Sequence, residues 1–443
     1  GEGVGVFRVG PRLTSRRGGP TLIAGLLLAA LAASCAARAK GPDVVGVADV
    51  AGTGGVLVAG GASATQQPGL TEDTITLSVL ADISGPVPGL FQGALDGMKA
   101  WAAYINSTGG IDGRKVELMT FDTNTNATEH RIATKKSCND AFAIVGGFSV
   151  ADNGGAAVGE ECGIPTILGV ATSALANNAK NTVSPVPIQP NKWPTGPGLW
   201  IKENYPEAIK RAAFMGNDHA ISVNQLERAR YTLAKIGFNF VYEGLTPQVE
   251  ANLTPYVLEM KSKDIGYFSW SAERDTLARI LKAMDQQNWR PEVRDFTSVV
   301  YHKQFLELAG DSAEGVLFPL TNPFWFEADK VPELKLYLDW LEKTSPGAEP
   351  DIFGVYAWAS GVLFEQAVEA AGDDFTREQV LAEAQDVDEF TARGLLAPTS
   401  PKRKEASTCF AYGSVKDGEF VRVFPEEGYD CRGEMYVIPE IKV

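Results

Sequence analysis

The chain has 443 residues, of which 44% are hydrophobic, and a formal net charge of −15. This length accommodates two or three domains, and the apolar content is typical of a globular protein. The acidic balance repels phosphate backbones and leaves no basic patch, which excludes nucleic acid as a partner.

The first 35 residues have the pattern of a bacterial export signal. Arg16 and Arg17 precede the apolar run 21–33, which is too short to span a bilayer comfortably. The following LAASC resembles a lipoprotein cleavage box and makes Cys35 a candidate for lipidation. An ordinary signal-peptidase site at ARA, residues 37–39, is the alternative. We therefore expect an extracytoplasmic protein that meets the membrane only through a lipid anchor.

Cysteine usage agrees with export, because disulfides persist in oxidising compartments. Four cysteines remain beyond the signal: Cys138, Cys162, Cys409 and Cys431. The sequence alone allows three pairings, and pairing neighbours would close two loops of about 20–25 residues, each contributing about 3 kcal/mol. The three histidines are isolated from one another: His130, His219 and His302. With no Cys-x-x-Cys either, we expect no metal site and no cofactor.

Residues 36–71 are rich in Gly, Ala, Ser and Thr and lack aromatic residues, which predicts a flexible tether. From Glu72 onward, strand and helix patterns alternate. The first series comprises a strand at 75–80, a helix with its apolar face at 95–105, a strand at 116–122, a helix at 126–138, a strand at 141–146, a helix at 151–161 and a strand at 164–170. Uniformly apolar strands in such an alternation predict a parallel sheet covered on both faces.

A second series of the same kind follows the proline-rich run 184–197. Its strands are predicted at 211–216, 238–244 and 265–270, and its helices at 222–237, 254–264 and 273–289. A strand then runs into the aromatic loop LTNPFWF, two helices are expected at 332–343 and 353–371, and the chain from Thr408 predicts β-structure with a hairpin at Asp417-Gly418.

Four segments in this order resemble the type I substrate-binding proteins of ABC importers, and among them the branched-chain amino acid (Leu/Ile/Val) binding family. They are ITLSVLADISGP, DGMKAWAAYINSTGGIDGRKVELMTFD, AFAIVGGFS and GIPTILGVATSAL. The resemblance is strong from about Glu72 to Asn177 and weaker but colinear to about Gly372.

The resemblance implies an α/β fold of two doubly wound parallel-sheet lobes joined by a three-crossing hinge, with ligand held in the cleft. It places the first lobe at 72–189 plus 322–398 and the second at 190–321 plus 399–443. The glycine turn GGIDGR is then structural, because ligands of open α/β sheets bind at the opposite edge, where the strands end.

Three first-lobe loops leave strand carboxyl ends and carry the expected ligand contacts. Leu90 and Phe91 match an apolar wall of the family, with loop packing as the alternative. Ser149 and the free amides of the following helix form a cradle for a carboxylate, although an ordinary N-cap is also expected there. Thr172 matches the family's threonine on the ligand carboxylate, and the Val170 carbonyl could accept from an ammonium group.

The second lobe departs from the family pattern. Trp270 or Ser271 occupies the position of an aromatic ligand contact. The acid that pairs with the ligand ammonium is expected near 299–301. This stretch, Val-Val-Tyr, has no carboxylate, and Tyr301 is its one polar residue. A buried ammonium without its partner costs several kcal/mol. Either another acid substitutes, or the ligand lacks that group.

Two acids are candidates for the substitution by loop position. Glu273 and Asp152 could serve, a solvated acid or a helix-start acid being the alternative for each. Phe324, Trp325 and Phe326 near a crossing could line an apolar pocket or simply pack. The expected ligand is therefore a branched-chain or aromatic amino acid, another apolar carboxylate, or an amide.

The favoured function is a non-enzymatic receptor that hands this ligand to an ABC importer permease. An exported enzyme is the second hypothesis, and the sequence contains no Gly-x-Ser-x-Gly elbow, phosphate loop or His-Glu-x-x-His motif to support it. A sensory subunit that binds the same kind of ligand is the third.

Overall fold

The computed structural model describes residues 67–218 and 220–439. The predicted signal segment with Cys35, the tether up to residue 66, and His219 lie outside the described residues. Leu70, at the end of the predicted tether, is only 7% exposed and forms a backbone bridge with Ile75. Its apolar side chain packs in the core of the first lobe, so the fold begins before Glu72.

The first sheet contains five parallel strands in the order β2-β1-β3-β4-β5. Its strands are β1 (Thr74–Ala81), β2 (Lys115–Asp122), β3 (Ala143–Val145), β4 (Thr166–Ile167) and β5 (Thr182–Val183), and its helices are α1 (Gln92–Ser107), α2 (Ala127–Asp140), α3 (Asn153–Cys162) and α4 (Ala174–Asn178). Ile75, Leu77 and Val79 of β1 are fully buried, as the apolar alternation predicts.

Three later helices complete the first lobe: α10 (Pro332–Thr344), α11 (Ile352–Ala371) and α12 (Arg377–Asp386). Helix α11 lies so close to α1 that a Cβ on Gly97 would stand 2.4 Å from the Gly354 carbonyl oxygen. Helix α12 has no counterpart among the predicted elements. Its sequence signal is a capping box in which the side chains and amides of Thr376 and Gln379 bond reciprocally.

The second sheet has four parallel strands in the order β10-β9-β7-β8. Its strands are β7 (Ala212–Asn217), β8 (Phe240–Thr246), β9 (Tyr267–Ser271) and β10 (Val293–Arg294), and the helices around it are α5 (Gly196–Asn204), α6 (Ala220–Lys235), α7 (Thr254–Ser262), α8 (Arg274–Gln286) and α9 (Lys303–Ala309). Helices α5 and α6 contribute to the core on one face, and α7, α8 and α9 to the core on the other.

The remaining strands link the second lobe to the crossings. They are β6 (Lys192–Pro194), β11 (Leu317–Leu320), β12 (Ala411–Lys416), β13 (Glu419–Phe424) and β14 (Met435–Val437). β12 and β13 are antiparallel about the two-residue turn Asp417-Gly418, both residues having positive φ, so the predicted hairpin is confirmed. A parallel bridge from Asp295 to Leu317 continues the second sheet into β11.

The chain passes between the two lobes three times: after β5, after β11 and after α12. The predicted fold class, two parallel α/β lobes with three crossings, is confirmed. Each crossing brings backbone past the carboxyl ends of the strands, which is where the ligand site is expected.

The turn between α1 and β2 needs glycine for steric reasons. Gly110 has a φ of 83°, and a Cβ on it would lie 2.0 Å from the Arg114 carbonyl oxygen. The turn precedes Lys115, at the amino end of β2, and therefore lies at the sheet edge opposite the expected ligand site.

The four described cysteines form two disulfides between sequence neighbours. Cys138–Cys162 joins α2 to α3, and Cys409–Cys431 joins the third crossing to the C-terminal segment.

Candidate ligand site

The loops that follow β1, β2 and β3 of the first lobe meet around a buried carboxylate. Asp82 follows β1 directly and is fully buried. Its Oδ1 accepts hydrogen bonds from the Thr125 amide at 3.0 Å, the Ser149 hydroxyl at 2.9 Å and the Thr123 hydroxyl, and its Oδ2 accepts from the Val150 amide at 2.9 Å. The Ser149 hydroxyl proton that the sequence assigns to a ligand is donated to this carboxylate.

A second internal carboxylate occupies the other predicted contact. Asp152 is 2% exposed and accepts from the Thr172 amide at 2.6 Å and the Ser173 amide at 3.0 Å. The Thr172 hydroxyl donates to the Ser149 carbonyl at 2.7 Å. Burial raises the pKa of Asp152, although these hydrogen bonds oppose the shift. Asp152 therefore holds the loops together. The sequence suggested it as a partner for a ligand ammonium, but its oxygens bond these two amides instead.

The residues predicted to form an apolar wall in the first lobe pack against other side chains of that lobe. Phe91 is 4% exposed, and its ring centroid lies 4.3 Å from that of Phe148 and 4.8 Å from that of Phe353. Val170 is also buried, and Leu90 is half-buried at the edge of the same core. In this arrangement Phe91 and Val170 contribute mainly packing.

Two of the predicted second-lobe contacts lie in the core. Trp270 is fully buried on the face of β9 that α7 and α8 cover. Tyr301 is 1% exposed, its hydroxyl accepts from the Trp325 amide at 2.7 Å, and its ring stacks on that of Trp325. Ser271 is half-buried and donates to the Gln225 side-chain oxygen. Sequence position placed Trp270 and Tyr301 near the ligand, but their side chains point into the sheet–helix interface.

The remaining predicted groups are scattered. Glu273 precedes α8 and its carboxylate lies 3.4 Å from the Gln248 amide nitrogen, with which it bonds. Phe324 is fully buried, whereas Phe326 is 58% exposed. Trp325 is half-buried, and its ring stacks on that of Tyr301. These three aromatic residues do not line one pocket.

The described residues instead enclose a cavity of about 270 Å³ between the second sheet and the crossings. It lies on the face covered by α5 and α6. Its apolar lining includes Val186, Ile188, Phe214, Leu233, Phe296 and Phe410. A mostly apolar cavity with a few polar groups is typical of small-molecule sites, and this volume lies near the lower end of their usual range of roughly 300–1,000 Å³.

Asp295 is the buried acid of this cavity. It follows β10 directly and is 8% exposed. Its Oδ2 accepts from the Tyr267 hydroxyl at 2.9 Å and the Tyr412 hydroxyl at 3.2 Å. Its Oδ1 has no hydrogen-bond partner among the described residues. Burial raises the pKa of Asp295 to about 7, despite the two tyrosine hydrogen bonds.

Arg228 is the buried cation of the same cavity. It lies on α6, is 7% exposed, and its guanidinium carbon stands 5.1 Å from the centroid of the Trp193 ring. Its Nη1 donates to the carbonyls of Gln189 and Lys192 at 3.1 Å each, both in the first crossing. Its Nε has no partner in the described structure. Burial lowers the pKa of Arg228 to about 10, so it keeps its charge at neutral pH.

The first lobe reaches this cavity and also pairs with the second lobe beside it. Tyr356 of α11 lines the cavity. Arg274 at the start of α8 pairs with Asp351, the N-cap of α11, at 3.7 Å, and both side chains are largely buried. Lys303 and Glu349 make a more exposed pair at 3.1 Å. The two lobes are therefore in contact, and a ligand in the cavity would touch both.

The described ranges contain neither a group of side chains suited to a metal ion nor a helix suited to crossing a membrane. No group of three or more His, Cys, Asp or Glu side chains there is arranged to hold a metal ion. The helices in that part of the chain include none with both the length and the apolar character needed to cross a membrane.

Sequence reasoning missed both charged residues of the cavity. Asp295 lies a few residues before the expected acid position 299–301, in VRDF, directly after β10, a strand of two residues that is too short to be recognised from the sequence. Arg228 lies on α6 one turn before Thr232, which is also buried, but a long cationic side chain at such a position usually reaches solvent.

A family model described as a periplasmic binding protein matches residues 74–419 of the chain. The Leu/Ile/Val/Thr-binding protein of Salmonella typhimurium is 23% identical over 293 residues, covering 65% of this chain and 77% of that relative.

Two solved structures share the fold at low sequence identity. The leucine binding protein of Thermotoga maritima aligns with a TM-score of 0.67 and 16% identity, covering 83% of this chain and 99% of its own. A fatty acid ABC transporter substrate-binding protein of Thermomonospora curvata aligns with a TM-score of 0.69 and 17% identity, covering 83% and 95%.

Proposed function

Because the chain belongs to the periplasmic binding protein family, we propose that it captures a small solute between two lobes and delivers it to the permease of an ABC importer. The proposed lobes are 72–189 plus 322–398 and 190–321 plus 399–443. The cavity carries the proposal, since its lining draws on both lobes and on residues of all three crossings. A ligand held there would favour the closed arrangement, which the permease would recognise.

The ligand is a small molecule with an apolar body. The relatives bind leucine, isoleucine, valine and threonine in one case and a fatty acid in another, by their names. Ser149 and Thr172 are poor candidates for a ligand carboxylate here, because their donors already serve this chain's carbonyl and carboxylate groups. A second anion beside Asp152 would be repelled. We therefore locate the ligand in the cavity.

The proposed location is the outer face of the bacterial cytoplasmic membrane. Family membership implies an extracytoplasmic protein. Lipidation of Cys35 would hold it at the membrane surface, and a Cys35→Ala variant would then be released into the soluble exported fraction. Retention of that variant on the membrane would contradict the anchor.

The test of solute binding is a thermal-shift screen of the purified chain against amino acids, fatty acids, other carboxylates and amides. We expect saturable stabilisation by a few kcal/mol once a ligand exceeds its dissociation constant by about a hundred-fold or more. Uptake of the same compound should fall when the gene is deleted. If no compound stabilises the chain, or if one is chemically altered by it, the receptor proposal is wrong.

A further inference from the structure

The C-terminal segment binds two of the three crossings at the points where they enter the second lobe. We propose that residues 430–438, here named the strap, clamp these two crossings together and so limit how far the lobes can open, and that the Cys409–Cys431 disulfide locks the strap in place. The inference rests on the proposed capture of a solute between two lobes and concerns the control of their movement.

The strap pairs with the first crossing through its backbone. Its strand β14 lies antiparallel to β6 over three residue pairs. Beyond one end of this ladder the Ile438 amide donates to the Asn191 carbonyl at 2.8 Å, and beyond the other end the Thr195 amide donates to the Glu434 carbonyl at 2.9 Å. The Thr195 hydroxyl also accepts from the Glu434 amide at 2.8 Å. The first crossing is therefore held along residues 191–195.

The strap holds the third crossing by backbone pairing and by a covalent bond. Phe410 and Asp430 form an antiparallel bridge, in which the amide of each donates to the carbonyl of the other at 2.9 Å. Cys409, directly before Phe410, forms the disulfide with Cys431. When the hydrogen bonds break, the disulfide keeps the strap beside the crossing, so the bonds re-form in an intramolecular step. The disulfide is therefore the lock of the clamp.

The strap is anchored on the body of the second lobe. Arg432 pairs with Asp430 at 2.7 Å and with Glu203 of α5. Its guanidinium carbon lies 5.0 Å from the centroid of the Phe424 ring of β13. The strap therefore moves with the second lobe and carries the ends of both crossings with it.

Opening of the lobes requires the crossings to bend, because hinge motion is absorbed by a few connecting residues. Residues 184–191 of the first crossing form neither a helix nor a strand. Two side-chain contacts join the crossings there: Gln189 donates to the Arg403 carbonyl, and Lys192 pairs with Glu405, each at 3.2 Å. The strap adds backbone pairing and a covalent bond to these single contacts, so it is the firmer constraint on bending.

The clamp is also part of the cavity wall. Trp193 of β6, Cys409 and Met435 line the cavity, whereas Cys431 is exposed. The disulfide therefore joins a residue at the cavity to a residue at the surface. Loosening of the strap would reach both the hinge and the ligand site.

The first experiment tests the lock by hydrogen exchange of the ligand-free full chain. In the double variant Cys409→Ser/Cys431→Ser, we expect the amides of Thr195, Phe410 and Ile438 to exchange at least about 10-fold faster than in the parent chain, because each of these amides bonds across the clamp. Exchange as slow as in the parent chain would mean that the disulfide is not the lock, and would overturn the inference.

Two further variants make this test specific. Cys138→Ser/Cys162→Ser removes the disulfide between α2 and α3 of the first lobe and should leave the exchange of the three amides unchanged. Thr195→Val keeps both disulfides and removes the hydroxyl that bonds Glu434. It should accelerate exchange of the Glu434 amide, and it tests the clamp even where loss of the disulfide prevents folding, which circular dichroism checks.

The second experiment measures opening by small-angle X-ray scattering without ligand. The background is Arg274→Gln, in which the pair with Asp351 no longer holds the lobes in contact. Adding Cys409→Ser/Cys431→Ser should increase the radius of gyration, whereas adding the first-lobe disulfide control should not.

Two results of the scattering experiment would overturn the inference. Faster exchange with an unchanged radius of gyration would make the strap a local brace, and an equal increase in the control would indicate general loosening. Neither readout needs a ligand, so the clamp can fail while the thermal-shift screen supports solute binding. An empty screen would instead remove the solute-binding proposal, and with it the purpose of the clamp.

Discussion

Asp82 and Asp295 occupy equivalent places in the two lobes but have opposite surroundings. Each follows the last residue of a parallel strand, and each is buried. Asp82 accepts four hydrogen bonds, from loops of its own lobe. Asp295 accepts two, both on one oxygen, and its other oxygen is unpaired beside a cavity. The first carboxylate is fully hydrogen-bonded within its lobe, whereas the second keeps one oxygen without a partner among the described residues.

The strongest test of this contrast is removal of the first carboxylate. Asp82→Ala should lower the free energy of unfolding by about 3–5 kcal/mol, because two amides and two hydroxyls lose a buried charged acceptor. Urea denaturation measures the loss. A change below about 1 kcal/mol would mean that the loops around Ser149 are held by other contacts.

The second carboxylate should make the stability of the chain depend on pH. Its pKa of about 7 in the fold, against an ordinary 3.8, means that folding favours the protonated form. Its contribution to stability is therefore present below about pH 4 and is lost as the pH rises through 7. Without ligand, Asp295→Asn should gain stability relative to the parent chain by about 2–4 kcal/mol between pH 4 and pH 8. A difference that does not vary with pH would contradict the buried, unpaired carboxylate.

His130 should make the first lobe sensitive to acid. It is 6% exposed, and burial lowers its pKa from 6.5 to about 4, with Asp82 opposing the shift. Its contribution is present above about pH 6.5 and is lost as the pH falls towards 4. His130→Gln should reduce the loss of stability between pH 7 and pH 4.5 by about 1–3 kcal/mol. Identical acid profiles for the parent and His130→Gln would contradict the assignment.

The smallest expected effect concerns the contact between the lobes. Arg274→Gln removes the pair with Asp351 and should lower the free energy of unfolding by at most about 1 kcal/mol, since the charges are 3.7 Å apart and Asp351 keeps its hydrogen bond from the Gly354 amide. Its signature is a larger radius of gyration without ligand and weaker ligand binding. Lys303→Gln, which removes the exposed pair with Glu349, serves as the control and should change neither measurement.

Local sequence predicted the architecture because the relevant signals are local. The alternation of Ile75, Leu77 and Val79 defines a buried strand, and the Asp417-Gly418 turn defines a hairpin, from a few consecutive residues each. Helix α12 was missed because its apolar face is narrow, with Val380 and Ala384 as its buried residues. The order of such elements predicted two parallel α/β lobes, and the resemblance to the substrate-binding proteins implied the three crossings between them.

The site could not be predicted in the same way. Ser149 and Thr172 have the right side chains for a ligand carboxylate. In the structure, however, the Ser149 hydroxyl donates to Asp82 and the Thr172 amide donates to Asp152. Trp270 is at the expected position, but its side chain lies on the face of β9 that α7 and α8 cover, away from the cavity. Which partner a polar group finds depends on residues far away in sequence, and a resemblance to a family does not specify them.

The sequence by itself determined two parallel α/β lobes and most of their helices and strands, because apolar periodicity and turn chemistry act over a few residues. Four ordered segments carried the resemblance to a solute-binding family. The tertiary structure alone decided which charges are satisfied. It brought Asp295 from the end of β10 and Arg228 from α6 to one apolar cavity, and it left each with an unpaired atom. The physical reason is that the partners of a buried group come from residues far away in sequence, which no local pattern indicates.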